Sequence, residues 1–388
     1  MANDTKIYFP SLNGLRFIAA SLVIIYHIEQ LKSMWGLPNW WRANPFISEI
    51  GGLGVTLFFV LSGFLITYLL LIESRQNSKI DIKKFYLRRI LRIWPLFYLI
   101  VLLSFFILPA LIKVPGSESP HIDFSTKFIL FVFLMPNVAL LIKPIVPFAA
   151  QLWSVGVEEQ FYLIWPHLFK IKNKNRLLIL FVCLIVFLFC LKMLISIIIV
   201  KFNGGEYKIL LFLSSFLKYF RIDCMAVGAI GAWILFFKKT WLQVVYNVFI
   251  QLLVLLATLM CVAKGIQFLP YWHLNDLVYS VFFIIIILNL SSNPASVISF
   301  ENKILNYLGT ISYGLYMFHP IAIALSLHFL GTFDNELSIH NNILIYFLSF
   351  TFSIIISGLS YNFFEKRFLA LKSGSKNSKV LSPDITVG

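Results

Sequence analysis

Charge is what this chain has little of. Only 13% of its 388 residues are charged, and just 17 are acidic. A soluble domain carries about a quarter charged residues, so the composition excludes an ordinary water-soluble globular protein. Cysteine is scarce too: Cys183, Cys190, Cys224 and Cys261 sit in apolar runs, with no C-x-x-C pair and no His at zinc-ligand spacing. They read as small buried hydrophobes, and no metal site is expected. Also absent are a P-loop, a G-x-S-x-G elbow, an H-E-x-x-H helix and an EF-hand loop. Covalent serine catalysis and metal hydrolysis therefore lack support. No repeat recurs at a fixed period.

What fills the chain is apolar: 59% hydrophobic and 17% aromatic residues, with a mean hydropathy of +0.86. Its runs are long enough to cross about 30 Å of hydrocarbon. The expected fold is an all-α, polytopic transmembrane bundle of about ten spans: 12–31, 53–72, 90–112, 152–169, 177–200, 209–237, 241–263, 275–291, 304–330 and 343–364. The first is expected to be retained rather than cleaved as a signal, because its long core holds Arg16 and His27 and no small-residue cleavage pattern follows.

The stretch 128–142, with Pro136 and Asn137, is short for a span, and the positive-inside rule decides how it is read. If it does not cross, one face of the membrane receives 19 Lys and Arg residues and the other receives 8. If it crosses, the two most basic loops, 73–89 and 170–176, fall on opposite sides. Ten spans with both termini cytoplasmic follow, and 128–142 becomes a re-entrant or interfacial piece. Residues 371–388 read as a disordered basic cytoplasmic tail, too short for a soluble catalytic domain. The net charge of +15 is spread over loops rather than an aromatic-interleaved groove, so the expected partner is the lipid bilayer and not nucleic acid.

Polar residues inside the apolar runs carry the functional signal, since ionisable groups in hydrocarbon are costly. Arg16 and His27 are eleven residues apart, so a helix puts them on one face, roughly 16 Å apart along its axis. Each alone also fits a bland role, Arg16 as a snorkelling cation and His27 as a buried hydrogen-bonded ring. In Leu87-Arg-Arg-Ile-Leu-Arg92, Arg89 and Arg92 are helix neighbours with Arg88 beside them. Clustered guanidinium groups suit a phosphate group, though a positive-inside cluster would look the same. Ser154, Glu158 and Tyr162 follow at i, i+4, i+8 and form one polar stripe. Glu158, at a depth like that of His27, is expected to orient that ring as a general base, or else to pair with a basic residue. Glu159 points elsewhere and reads as a structural partner. Arg221 and Asp223 place opposite charges inside 209–237, for packing or for substrate. Tyr316 and His319 share a face, with Pro320 opening the backbone ladder after them. Glu365 is placed to balance the arginine cluster.

At these residues the chain resembles the acyltransferase 3 family of integral membrane acyltransferases, which modify bacterial surface glycans. The matching elements are Leu12-Asn-Gly-Leu-Arg16 with His27, Leu57-Phe-Phe-Val-Leu-Ser-Gly-Phe-Leu65, Arg88-Arg-Ile-Leu-Arg92, Leu152 to Tyr162, Arg221-Ile-Asp223 and Ile311 to Pro320. The resemblance implies a membrane acyltransferase domain over 1–370. It implies transfer of an acyl group, most often acetyl, from cytoplasmic acyl-CoA to a sugar hydroxyl of an extracytoplasmic or lipid-linked glycan, such as O-antigen or exopolysaccharide. It implies a bacterial inner membrane location, His27 and Glu158 as catalytic residues, and Arg16, Arg88, Arg89 and Arg92 as ligands for acyl-CoA. Ser154, Tyr162, Arg221, Asp223, Tyr316, His319 and Glu365 are then candidates to line the substrate site. Some relatives carry an extra hydrolase-like domain that this sequence lacks, which leaves room for a separate partner protein. The competing class is a transporter or flippase using the same charges as a relay.

Overall fold

The computed structural model describes residues 8–77, 79–112, 124–142, 144–171, 173–201, 208–269, 272–330 and 339–371, and among these all regular structure is helical. In chain order the helices are α1 (Leu12–Met34), α2 (Pro45–Asn77), α3 (Ile82–Leu102), α4 (Leu108–Leu111), α5 (Phe124–Val132), α6 (Pro136–Ala139), α7 (Trp153–Leu168), α8 (Lys174–Lys201) and α9 (Lys208–Tyr219). They continue as α10 (Ile222–Phe237), α11 (Lys239–Val245), α12 (Val248–Lys264), α13 (Trp272–Ser292), α14 (Lys303–Thr310), α15 (Ser312–Leu330), α16 (Ile339–Ser360) and α17 (Lys366–Ala370). Eight helical stretches among the described residues are long and apolar enough to cross a membrane, so this is a polytopic helical membrane protein. Two further expected spans exist as shorter helices, α7 with 16 residues and α12 with 17. The expected tail beyond Leu371 falls outside the described residues.

Three expected spans are broken, each for a local reason. The run 209–237 breaks at Phe220 and Arg221, where a cation turns inward between α9 and α10. The run 241–263 breaks at Tyr246 and Asn247, whose side chain accepts from Phe249 N–H and starts α12. The run 304–330 breaks at Ile311, between α14 and α15. The stretch 128–142 is a helix-turn-helix: α5, a turn with Leu134 at φ 58°, then α6. At about 1.5 Å per residue neither helix crosses the hydrocarbon. Pro136 instead fits against Gly156 of α7, and Asn137 exchanges amide hydrogen bonds with Gln160.

The core sits between α2 and α10. A Cβ on Gly63 would lie 1.9 Å from the Met225 carbonyl oxygen, and one on Gly228 would lie 2.1 Å from that of Val60. In lipid, apolar side chains gain little by leaving one apolar surface for another, so close backbone approach is what holds such helices together. Cys183 and Cys190 correct the expectation of buried cysteines: both lie on the outward face of α8, and only Cys224 is buried.

Buried ion pairs tie helices together at three places. Lys192 of α8 reaches Asp223 of α10 at 2.6 Å, and Arg221 reaches Asp276 of α13 at 3.0 Å. Lys32 and Glu29 of α1 are 2.6 Å apart and bind Asn342 and Tyr346 of α16. At one end of the bundle Ser11 N–H donates to Glu301 at 2.7 Å, as does Asn306 Nδ2, and the Tyr8 hydroxyl joins them. Burial alone would raise the Glu301 carboxyl, but these donors outweigh it and hold the group below the usual carboxylate range.

Candidate active site

Five helices converge on a partly open cavity. α1 supplies Arg16, α3 supplies Arg89 and Arg92, and α7 supplies Ser154, Glu158 and Tyr162. α2 adds Phe58 and Ser62, and α15 adds Ser312, Tyr313 and Tyr316. The helix period explains the convergence. Arg89 and Arg92 are one turn apart, and the α7 stripe repeats every four residues, so each helix presents one polar face to the same space.

The cavity is built to receive negative charge. Arg16 lies within electrostatic reach of Arg92 and Arg89, and Glu158, beside Ser62, faces Arg16 and Arg89. No hydrogen bond or ion pair among the described residues engages the Arg16 guanidinium, and Arg89 Nε is buried without a partner. Arg89 lies beside the rings of both Phe85 and Tyr162, at 5.5 and 5.6 Å. Like charges with unmatched donors in a low-dielectric interior are stabilised by an anion offering several acceptors.

His27 stands outside this cavity. Its Nδ1 is 2.8 Å from Val23 O and 3.2 Å from Nε2 of His319, and His319 Nδ1 is 2.7 Å from Tyr316 O. Tyr316 lines the cavity on one side and packs on His319 at 5.8 Å on the other. Phe58 meets Tyr316 edge-on at 5.8 Å. Tyr316 is therefore the side chain that touches both the cavity and the histidine pair. The Tyr316 hydroxyl is fixed there, donating to Gln151 O at 2.9 Å with Ser154 Oγ at 2.7 Å.

A family model described as an acyltransferase domain matches residues 9–362. The chain belongs to the acyltransferase 3 family. This acyltransferase is 28% identical to peptidoglycan O-acetyltransferase OatA of Listeria monocytogenes, over 92% of this chain and 55% of that protein. It is 27% identical to O-acetyltransferase OatA of Staphylococcus aureus, over 92% of this chain and 57% of that protein. The chain thus spans a little over half the length of these relatives. No solved structure matches it.

Within the acyltransferase the expected site residues divide. Arg16, Arg89, Arg92, Ser154, Glu158, Tyr162 and Tyr316 share the cavity. The expected contact between Glu158 and His27 is not made, because equal depth does not give a common azimuth: Glu158 turns to the arginines and His27 to His319. Arg88 points out of the cluster and pairs with Glu73 at 3.2 Å, since adjacent helix residues diverge by about 100°. Arg221 and Asp223 lie outside the cavity and do not pair with each other, each binding a different helix. Glu365 also stands outside, bonded to Ser360 at 3.0 Å but within reach of Arg92. Glu159 accepts from Trp94 Nε1 at 3.1 Å. Sequence reasoning missed Ser62, Phe58, Ser312 and Tyr313 as site residues, and Lys192 and Asp276 as ion partners. Lone polar groups in apolar runs were the available signal for Lys192 and Asp276.

Proposed function

We propose that this acyltransferase moves an acetyl group from cytoplasmic acetyl-CoA to a sugar hydroxyl of peptidoglycan or a chemically similar envelope glycan, in the bacterial plasma membrane. The observation that carries this reading is the convergence of Arg16, Arg89 and Arg92 on one cavity. Three guanidinium forks match the phosphates of coenzyme A, whose nucleotide end would enter from the side of the basic loop 73–89. Glu158 supports the reading as a counter-charge that keeps the arginines from repelling each other when the cavity is empty. The glycan class follows the names of the relatives and takes precedence over O-antigen or exopolysaccharide.

In this reaction His27 takes the proton of the sugar hydroxyl, and the hydroxyl oxygen bonds to the thioester carbonyl carbon. The carbon–sulfur bond then breaks, and the leaving coenzyme A thiolate receives the proton from His27. For the thioester to meet His27, it passes the Tyr316 ring, which lines the cavity and packs on His319. Membrane vesicles given [14C]acetyl-CoA test the proposal: the parent labels glycan, and an inserted, folded His27→Ala protein does not. Unchanged labelling by His27→Ala, or movement of a lipid-linked sugar without acetylation, overturns it.

A further inference from the structure

We infer that His319 is a positioning residue of this site, acting with the Val23 carbonyl to hold the His27 ring in the tautomer and orientation that leave its Nε2 free to act as the base. The inference rests on the proposed function and adds to it how the base is oriented.

The hydrogen positions follow from which atoms can only accept. A carbonyl oxygen has no hydrogen, so the 2.8 Å contact from His27 Nδ1 to Val23 O requires the hydrogen on Nδ1. The 2.7 Å contact from His319 Nδ1 to Tyr316 O requires a hydrogen there for the same reason. Neutral His319 then has a bare Nε2, and it lies 3.2 Å from His27 Nδ1. One hydrogen is thus shared between Val23 O and His319 Nε2, which leaves the lone pair of the His27 ring on Nε2.

Pro320 is what makes this arrangement available. In a regular helix the N–H of residue 320 would bond to the carbonyl of residue 316. Proline has no N–H, so Tyr316 O is left open within α15, and the side chain of His319 takes it. The ring is fully buried. When His27 accepts a proton, its Nδ1–H keeps both acceptors, so the imidazolium is stabilised by two neutral groups. A carboxylate in the place of His319 would hold that proton more tightly and slow its return to the leaving thiolate. Tyr316 thereby serves both sides, lining the donor cavity with its ring and anchoring the positioning histidine with its carbonyl.

The test compares initial rates of glycan labelling from [14C]acetyl-CoA in vesicles, scaled to inserted protein, together with the KM for acetyl-CoA. His319→Ala should lower the maximal rate about 100-fold at unchanged KM, the scale of a lost base orientation. His319→Gln, whose Oε1 can accept the Nδ1–H of His27, should recover to within about tenfold of the parent. Pro320→Ala returns a backbone N–H to Tyr316 O, displaces the His319 anchor, and should lower the rate severalfold without lowering thermal stability. Parental rates in His319→Ala overturn the inference, as does His319→Gln being as inactive and as thermally weakened as His319→Ala. If His27→Ala labels glycan normally, it is the base assignment itself that fails.

Discussion

Replacing Arg16 with Met separates a binding cation from a structural one. In the structure Arg16 makes no hydrogen bond or ion pair among the described residues, and the repulsion from Arg92 and Arg89 is offset by attraction to Glu158. Removing it from the empty protein therefore loses little, and replacing a desolvated charge by an apolar side chain of similar length is neutral or stabilising by about 1 kcal/mol. Donor binding responds in the opposite direction. Charge-assisted hydrogen bonds to a phosphate contribute about 1.5–3 kcal/mol, which corresponds to a roughly 10- to 150-fold weaker affinity for acetyl-CoA. The assay pairs a thermal scan of the detergent-solubilised protein with titration of acetyl-CoA. An unchanged or raised midpoint without donor, together with much weaker binding, supports the reasoning. A midpoint several degrees lower with unchanged donor affinity would refute it, because Arg16 would then be holding helices rather than ligand.

Other outcomes follow from the packing. Gly63→Leu places its Cβ against the Met225 carbonyl and forces α2 from α10; a loss above about 3 kcal/mol should appear as failure to accumulate in the membrane, and near-normal accumulation would contradict the geometry. Lys192→Met leaves Asp223 buried without its partner and should cost about 3–5 kcal/mol, while Lys192→Met with Asp223→Leu should recover much of it; a double variant no better than the single one would argue against the pair. The Glu301 carboxyl is held below its ordinary value of 4.5, so its contribution is present above that pH and is lost as pH falls through the folded-state value. Glu301→Gln should thus lower stability at pH 7 by about 0.5 kcal/mol given its exposure, seen as a slightly lower thermal midpoint, and the difference should vanish in acid.

The elements legible in the sequence are those set by local periodicity. Spacing alone put Ser154, Glu158 and Tyr162 on one face and Arg89 beside Arg92, and the cavity uses both sets. Spacing also carried the errors. Arg221 and Asp223 looked like a pair, but residues two apart on a helix do not face each other, and Arg221 precedes the first turn of α10. The breaks at Tyr246 and Ile311 were hidden because the apolar runs continue through them.

By itself the sequence determined that the chain is a helical membrane protein and which residues each helix presents on its polar face, because hydrophobic length and the 3.6-residue period are properties of a single segment. The tertiary structure alone decided which of those faces meet. Arg16 joined Arg89 and Arg92, and His27 turned from Glu158 to His319, because azimuth depends on how neighbouring helices rotate against one another. That rotation is set by contacts hundreds of residues apart in the chain, where Gly63 meets Met225 and Gly309 meets Asn13.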